Sequence, residues 1–233
     1  MKKQLLAGVV LLGFALCVTP AQAESPVSDF KPYVSVFAGA SMARELDIDI
    51  LTPFGAPYFF AHNGLETGYI IGGAIGVNLT DAIRIEGELS RSAWNSKDLI
   101  TVGHVGSSGG YLIIADGSVA ATYLLANVWL DLKNQSRFTP YFGGGVGAGW
   151  ASASIDYSGG FWGVDGNAGM GLAYQLGAGL KFDLNESLAV DLGYRFKNIV
   201  GANIPASGFL AGGSFDINDL SSHNVQLGLT YSF

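Results

Sequence analysis

Glu86 and Glu88 stand two residues apart in "RIEGELS", a spacing that puts both side chains on one face of an extended strand. Two carboxylates so placed could act as a general acid and a general base. A second candidate is "PYFGGGVGAGW", residues 140–150. There Gly143, Gly145 and Ala148 satisfy the loose dinucleotide pattern G-x-G-x-x-G/A, and Asp165 lies near the distance expected of a ribose-binding acid. The histidines His62, His104 and His223 form a third. His223 follows Ser221 and Ser222, and His104 precedes Ser107 and Ser108, so a serine–histidine pair could transfer an acyl chain, or the three imidazoles could gather a metal. Asp47, Asp49, Asp216 and Asp219 could hold a divalent cation, but they match no calcium-binding loop.

Each of these chemistries needs an element to position it. A dinucleotide loop must join a buried strand to a helix. The residues after the glycine run, "ASASIDYSGGFWG", show no helical period and bring more glycine. Taken as a strand, the run sends Tyr141, Gly143, Gly145, Gly147 and Gly149 to one face and Phe142, Gly144, Val146, Ala148 and Trp150 to the other. Small residues on a strand mark close approach by other groups. Here, with Gly177 and Gly179, they leave room for Tyr123, Trp129 and Arg195.

The chain of 233 residues begins with a basic Lys2–Lys3 pair and an apolar run, then "TPAQA". This is the layout of a secretory signal over 1–23, with Ala21 and Ala23 as the small residues before the cut. Cys17 follows the bulky Leu16, so a lipoprotein signal is disfavoured, and the only cysteine leaves with the signal. The mature chain then has no thiol chemistry and no disulfide. The formal net charge of −7 becomes more negative when both lysines are removed, which argues against a nucleic-acid partner.

Glycine is abundant at 34 residues, charge is sparse at 13%, and mean hydropathy is +0.34. Yet the mature chain has no apolar run of the roughly 18 residues that a spanning helix needs. The remaining way to cross a bilayer is a closed barrel. Alternation with period two supports it. "VQLGLTYSF" sorts Val225, Leu227, Leu229, Tyr231 and Phe233 against polar and small residues, and "YQLGAGLKFDL" does the same from Tyr174 to Leu184. Eight such runs are expected, near 32–43, 67–79, 83–92, 119–132, 138–153, 169–184, 188–198 and 222–233. Short turns, "TDA", "KNQSR" and "NES", alternate with long connections at 44–66, 93–118, 154–168 and 199–221. Short turns belong to the periplasmic side and long loops to the outside. Phe142, Phe182, Tyr231 and Phe233 fall at periplasmic strand ends, and Tyr69, Trp150 and Tyr174 at outer ends, as two aromatic girdles would. The fold expected is therefore all-β: a transmembrane antiparallel up-and-down barrel over 32–233, preceded by a short periplasmic segment, 24–31. A soluble barrel with its apolar face inside is the competing arrangement.

"TPYFGGGVGAGW", "AYQLGAGLKF", "LAVDLGYRF" and the terminal "VQLGLTYSF" resemble the eight-stranded outer-membrane β-barrel family of the opacity and surface-antigen type, and "RIEGELS" and "LLANVWLDL" resemble its third and fourth strands. The resemblance implies residence in the Gram-negative outer membrane among lipid and lipopolysaccharide. It implies no enzymatic activity and no cofactor, and roles in adhesion, envelope integrity or host contact. It also makes Tyr231 and Phe233 the carboxy-terminal signature read by the barrel assembly machinery, and the end of the chain there implies no added peptidoglycan-binding domain.

Alternation places Arg84, Lys181, Arg195 and Lys197 inside with Glu86, Glu88, Asp131, Asp183 and Asp191. An eight-stranded barrel is just wide enough to be filled by side chains, and buried charges must be paired. Depth along the strands pairs Arg195 with Glu86 and Glu88, and Arg84 with Asp131 and Asp183. The expected result is a plug of ion pairs, with Glu86 and Glu88 structural because no substrate route reaches them. Function is then expected in the loops, where apolar segments such as "DIDILTPFGAPYFFAHNG" and "NIVGANIPASGFLAGGSFDINDL" either contact a host or surface ligand or continue the strands above the membrane. A narrow conduit for small or hydrophobic solutes and a lipid-modifying enzyme are the alternatives.

Overall fold

A computed structural model describes residues 30–44, 46–51, 57–63, 66–104, 110–157, 163–205 and 214–233. The expected signal with Ala21 and Ala23, the segment at 24–29, and Ser107 and Ser108 lie outside them. The described chain is all strand: β1 (Lys31–Ala43), β2 (Leu46–Leu51), β3 (Pro57–Asn63), β4 (Gly68–Asn78), β5 (Ile83–His104), β6 (Gly110–Asp131), β7 (Phe138–Tyr157), β8 (Gly163–Asp183), β9 (Leu188–Pro205) and β10 (Ser214–Ser232).

Eight of these close a barrel. β1 pairs antiparallel with β4, β4 with β5, and each later strand with its successor, until β10 returns to β1 from Tyr33↔Ser232 to Ala43↔Ser222. The register is not flat around the circuit. Starting at Ser92 and stepping through Ile70, Gly39, Gln226, Gly193, Gly179 and Tyr141 leads to Asp131. Ser92 itself faces Ala121 on β6, so one turn of the barrel shifts the register by 131 − 121 = 10 residues. A shift of that size tilts the strands by about 40° to the axis and closes a narrow interior.

The short turns are shaped by their own side chains. Thr80 Oγ1 accepts from the amides of Ala82 and Ile83, and Asn185 Oδ1 accepts from those of Ser187 and Leu188. Asn134 Oδ1 accepts from the Ser136 amide in the same way. A side-chain carbonyl or hydroxyl that takes the amide two or three residues on replaces a backbone turn bond, which is why Asn and Thr stand at these corners.

At the other end the strands run much further than the alternating runs. β5 and β6 each span 22 residues, and the stretch read as a connection at 93–118 is mostly paired strand. The same holds for 154–168 and 199–221. In the first long connection β2 and β3 form a hairpin that pairs with β10 through Asp216↔Asp49 and with β5 through Phe60↔Val102. It takes the place of β1 and β4 above their ends. Period two fades there for a physical reason. Above the bilayer neither face of a strand meets lipid, so pairing continues without enforced alternation.

Lipid-facing and lumen-facing rows follow the expected parity. Ile75, Leu89, Val146, Leu176 and Leu227 are exposed on the outer wall, whereas Tyr123, Trp129, Tyr141 and Gln175 are buried inside. The glycine run is the thin part of that wall. A Cβ on Gly143 would sit 2.8 Å from the Trp129 ring, one on Gly177 would sit 2.5 Å from Arg195 Cδ, and one on Gly145 would collide with the Asn127 side-chain oxygen. Large lumen residues therefore occupy the space that these glycines vacate. Gly145→Leu should abolish the heat-modifiable, folded electrophoretic band of the refolded protein, since overpacking alone destabilises by about 1–3 kcal/mol and here the neighbour is also polar. A normal folded fraction would contradict this packing.

Candidate functional site: the layered lumen and the outer belt

The lumen is built in layers. At the short-turn end Arg84 Nε donates to both oxygens of Asp131, at 3.0 and 2.9 Å. Lys181 lies 3.9 Å from Asp131 and 3.8 Å from Asp183. Among the described residues no cation lies within ion-pair distance of Glu86. Its oxygens accept instead from Tyr33 Oη (2.9 Å), Asn127 Nδ2 (3.0 Å) and Trp129 Nε1 (2.7 Å). Asp191 accepts from Tyr141 Oη at 2.6 Å, and Arg195 Nη2 donates to that same hydroxyl at 3.1 Å. The Arg195 guanidinium lies 4.1 Å from the centroid of Trp129, and it and Arg84 each lie 5.2 Å from the centroid of Tyr141.

The middle layer centres on Lys197 and Glu88, both buried and in direct contact. Lys197 Nζ also donates to Ser90 Oγ (2.9 Å), and Ser90 Oγ donates to Glu88 Oε1 (2.7 Å). The second carboxylate oxygen accepts from Gln175 Nε2 (2.7 Å) and Asn127 Nδ2 (3.0 Å). Lys197 lies 4.9 Å from the centroid of Tyr123. A buried pair stabilises only when its remaining donors and acceptors are also satisfied, and this one is hydrogen-bonded by three side chains, Ser90, Gln175 and Asn127.

Depth alone set Arg195 against Glu86 and Glu88, and that pairing does not form. The three neutral donors fill Glu86, and the aromatic faces of Trp129 and Tyr141 draw the planar guanidinium away. The flexible lysine above, Lys197, reaches down to Glu88 instead. The pairing of Arg84 with Asp131 is present, while Asp183 lies against Lys181 rather than Arg84.

Above the pair is an apolar layer. Trp94, Ile70, Ile199, Leu220, Ala121, Ala151 and Ala173 are all buried at 1% exposure or less. Trp94 spends its one donor on the Ser41 carbonyl at 3.1 Å. Sequence reasoning missed this layer, although its signal is simple: the inward rows continue from Arg195 and Lys197 to Ile199, and from Ser90 and Ser92 to Trp94. Below the middle layer a small opening remains, lined by Ser35, Phe37, Glu86, Arg195, Gln226 and Thr230 among others.

The catalytic candidates are scattered. His223 faces outward, its Nδ1 2.6 Å from Tyr194 Oη and its ring against Phe196 at 5.3 Å. Ser222 points the opposite way, into the lumen, where Asn224 Nδ2 donates to it. The backbones of His62 and His104 belong to β3 and β5, and their side chains lie outside the description. Among the described residues no group of three side chains could hold a metal. Asp219 is exposed and accepts from Asn198 Nδ2 at 3.2 Å.

Aromatic side chains band the outer wall at two heights. Phe138 and Phe182 pack at 4.8 Å, and Tyr231 and Phe233 at 5.2 Å, at the short-turn end. Tyr69, Trp150, Tyr174 and His223 form the other band, joined by the exposed arginines Arg44 and Arg91.

A family model described as the outer membrane protein β-barrel domain matches residues 9–233. Outer membrane protein PagN of Salmonella typhimurium is 23% identical over 247 residues, covering 94% of this chain and 98% of its own length. A candidate adhesin of Rickettsia bellii is 26% identical over 72% of this chain and 77% of its own. An uncharacterised Brucella abortus protein is 30% identical over 147 residues, 51% of this chain, which spans only 49% of that relative's length. Among solved structures, the outer membrane protein OprG from Pseudomonas aeruginosa shares the fold with a TM-score of 0.53 at 16% identity, covering 87% of this chain and 96% of that one.

Removing one member of the middle pair strands a buried charge, which destabilises by about 3–5 kcal/mol. Lys197→Met should therefore lower the midpoint of urea unfolding in lipid vesicles far more than Arg195→Ala, which removes cation–π contacts of about 1–2 kcal/mol each. The double variant Lys197→Met, Glu88→Met should recover most of the loss. Equal effects of the two single variants would show that the pair is not the main tie across the lumen.

Proposed function

We propose, from the premise that the chain belongs to the outer membrane protein β-barrel domain family, that it is a sealed outer-membrane barrel whose work is surface contact, carried by the strands and tips above the membrane. The observation that supports this most is the pairing of two closed layers across the lumen with walls that continue well past the outer aromatic band. A conduit has little use for a lysine–glutamate pair capped by Trp94 and Ile199. A contact surface does use paired strands, because backbone already ordered by pairing loses little conformational entropy on binding.

The relatives support the same reading. The chain aligns over most of its length with a candidate adhesin and with PagN. A non-enzymatic role is supported by His223, whose close partner is a tyrosine rather than a serine. In this reading residues 1–23 are the export signal, cut after Ala23, and Tyr231 and Phe233 serve as the assembly signature.

Asn95 and Ser118 face each other across β5 and β6, so a tight turn can replace residues 96–117 without disturbing the membrane-level wall. Outer-membrane vesicles bearing that shortened chain should keep the folded band but lose most of their binding to cultured epithelial cells. Undiminished binding by the shortened chain would place the contact elsewhere and overturn the proposal.

A further inference from the structure

The small opening below the middle layer is a polar pocket. Ser35, Lys181 and Thr230, all half-buried, line it toward the short turns, and Glu88 of the buried pair lines its inner end. Its space is about 30 Å³, enough for about two to three water molecules. Not all of its polar groups are met within the wall. Arg84 and Lys181 face Asp131, and three neutral donors fill Glu86. Arg195 is 6% exposed, and among the described residues no carboxylate lies within ion-pair distance of it. It reaches Asp191 only through Tyr141, whose hydroxyl accepts from Nη2 and donates to Asp191 Oδ1. Gln226 is 4% exposed and lines the same pocket, and its Oε1 has no hydrogen-bond partner. An empty buried acceptor is costly, so it marks a place for a donor from outside the chain.

The strand register sets these groups side by side. Gln226 is the register partner of Gly193. A Cβ on Gly193 would sit 2.8 Å from Tyr141 Oη and 2.9 Å from Arg195 Nη1, so both lie over that glycine. Gly228 follows Gln226 on the same inward row, and a Cβ there would strike Asp191 Oδ2. A cation without a counter-ion, a carboxylate oxygen and an empty acceptor therefore share one small space, with a single hydroxyl between the two charges.

We infer that this pocket binds a small zwitterion of the α-amino-acid class, of the size of glycine or alanine. Its carboxylate meets the Arg195 guanidinium, whose planar donors match carboxylate oxygens. Its ammonium donates to Gln226 Oε1 and Asp191 Oδ2. A lone anion there would also face Asp191 and Glu86, and a lone cation would face Arg195. A ligand with both signs on a short link avoids both conflicts, and an α-amino acid carries them on one carbon. The pocket lies in the lumen and is independent of the surface contact proposed above.

The test is a titration of the full-length, isotope-labelled barrel in phosphatidylcholine nanodiscs. It is followed through the indole N–H resonance of Trp129, assigned by its loss in Trp129→Phe. Glycine should shift that resonance saturably. Asp191→Asn and Gln226→Leu should each keep the heat-modifiable folded band and weaken glycine binding about tenfold, as loss of one hydrogen bond to a charged group implies. No saturable shift with glycine would mean that water alone fills the pocket and would overturn the inference. Equal binding of acetate alone, or of methylammonium alone, would overturn the assignment to a zwitterion. Unchanged affinity in either folded variant would overturn the assigned contacts. The comparison of glycine, acetate and methylammonium uses the unmodified protein, so it decides the ligand class even where a variant fails to fold.

Discussion

A backbone that crosses hydrocarbon must bond every amide and carbonyl to itself, and this single requirement organises the rest of the chain. Helices could meet it, but no described helix exists and none is long and apolar enough to span. Strands meet it only when the sheet closes, which β1 and β10 achieve over their whole shared length. Closure with eight strands and a ten-residue register shift leaves a lumen too narrow for bulk water and too wide to be empty. Side chains must fill it, and the filling decides what the barrel can do.

The filling shows how competing interactions are resolved when volume is scarce. Glycines at 143, 145, 177 and 179 thin the wall so that Trp129, Tyr141 and Arg195 can cross it. Arg195 lies against aromatic faces while neutral donors satisfy Glu86, and Lys197 becomes the partner of Glu88. Charge balance alone would permit several pairings. The geometry of the guanidinium, flat and easily stacked, and of the ammonium, compact and on a flexible stem, selects among them. Above, seven buried apolar side chains close the lumen with no need for pairing at all.

Much of this was legible in the sequence. Period-two alternation sorted the faces of "VQLGLTYSF", "YQLGAGLKFDL" and the glycine run correctly, because one face meets lipid and the other does not. The turn-side strand ends were legible from Thr80, Asn134 and Asn185. The outer ends were not, since alternation stops being enforced where lipid ends, and β5 to β10 run on well past that height. Depth along the strands found Arg84 opposite Asp131 but could not say that Arg195 would turn toward Trp129, because stacking depends on three-dimensional register that spacing does not encode. The apolar cap was readable in principle. Ile199 and Trp94 lie on the same inward rows as the charges below them, and attention to ionisable residues passed over them.

The proposed surface contact rests on a barrel that is a wall rather than a passage. The most direct measurement is therefore electrical. Purified barrels inserted into a planar bilayer at neutral pH should show no steady unitary conductance, because Lys197 with Glu88 and the Trp94 layer both cross the path. Reproducible, long-lived openings of constant amplitude in the unmodified protein would contradict a sealed lumen, and with it the reading of the outer strands as the seat of function.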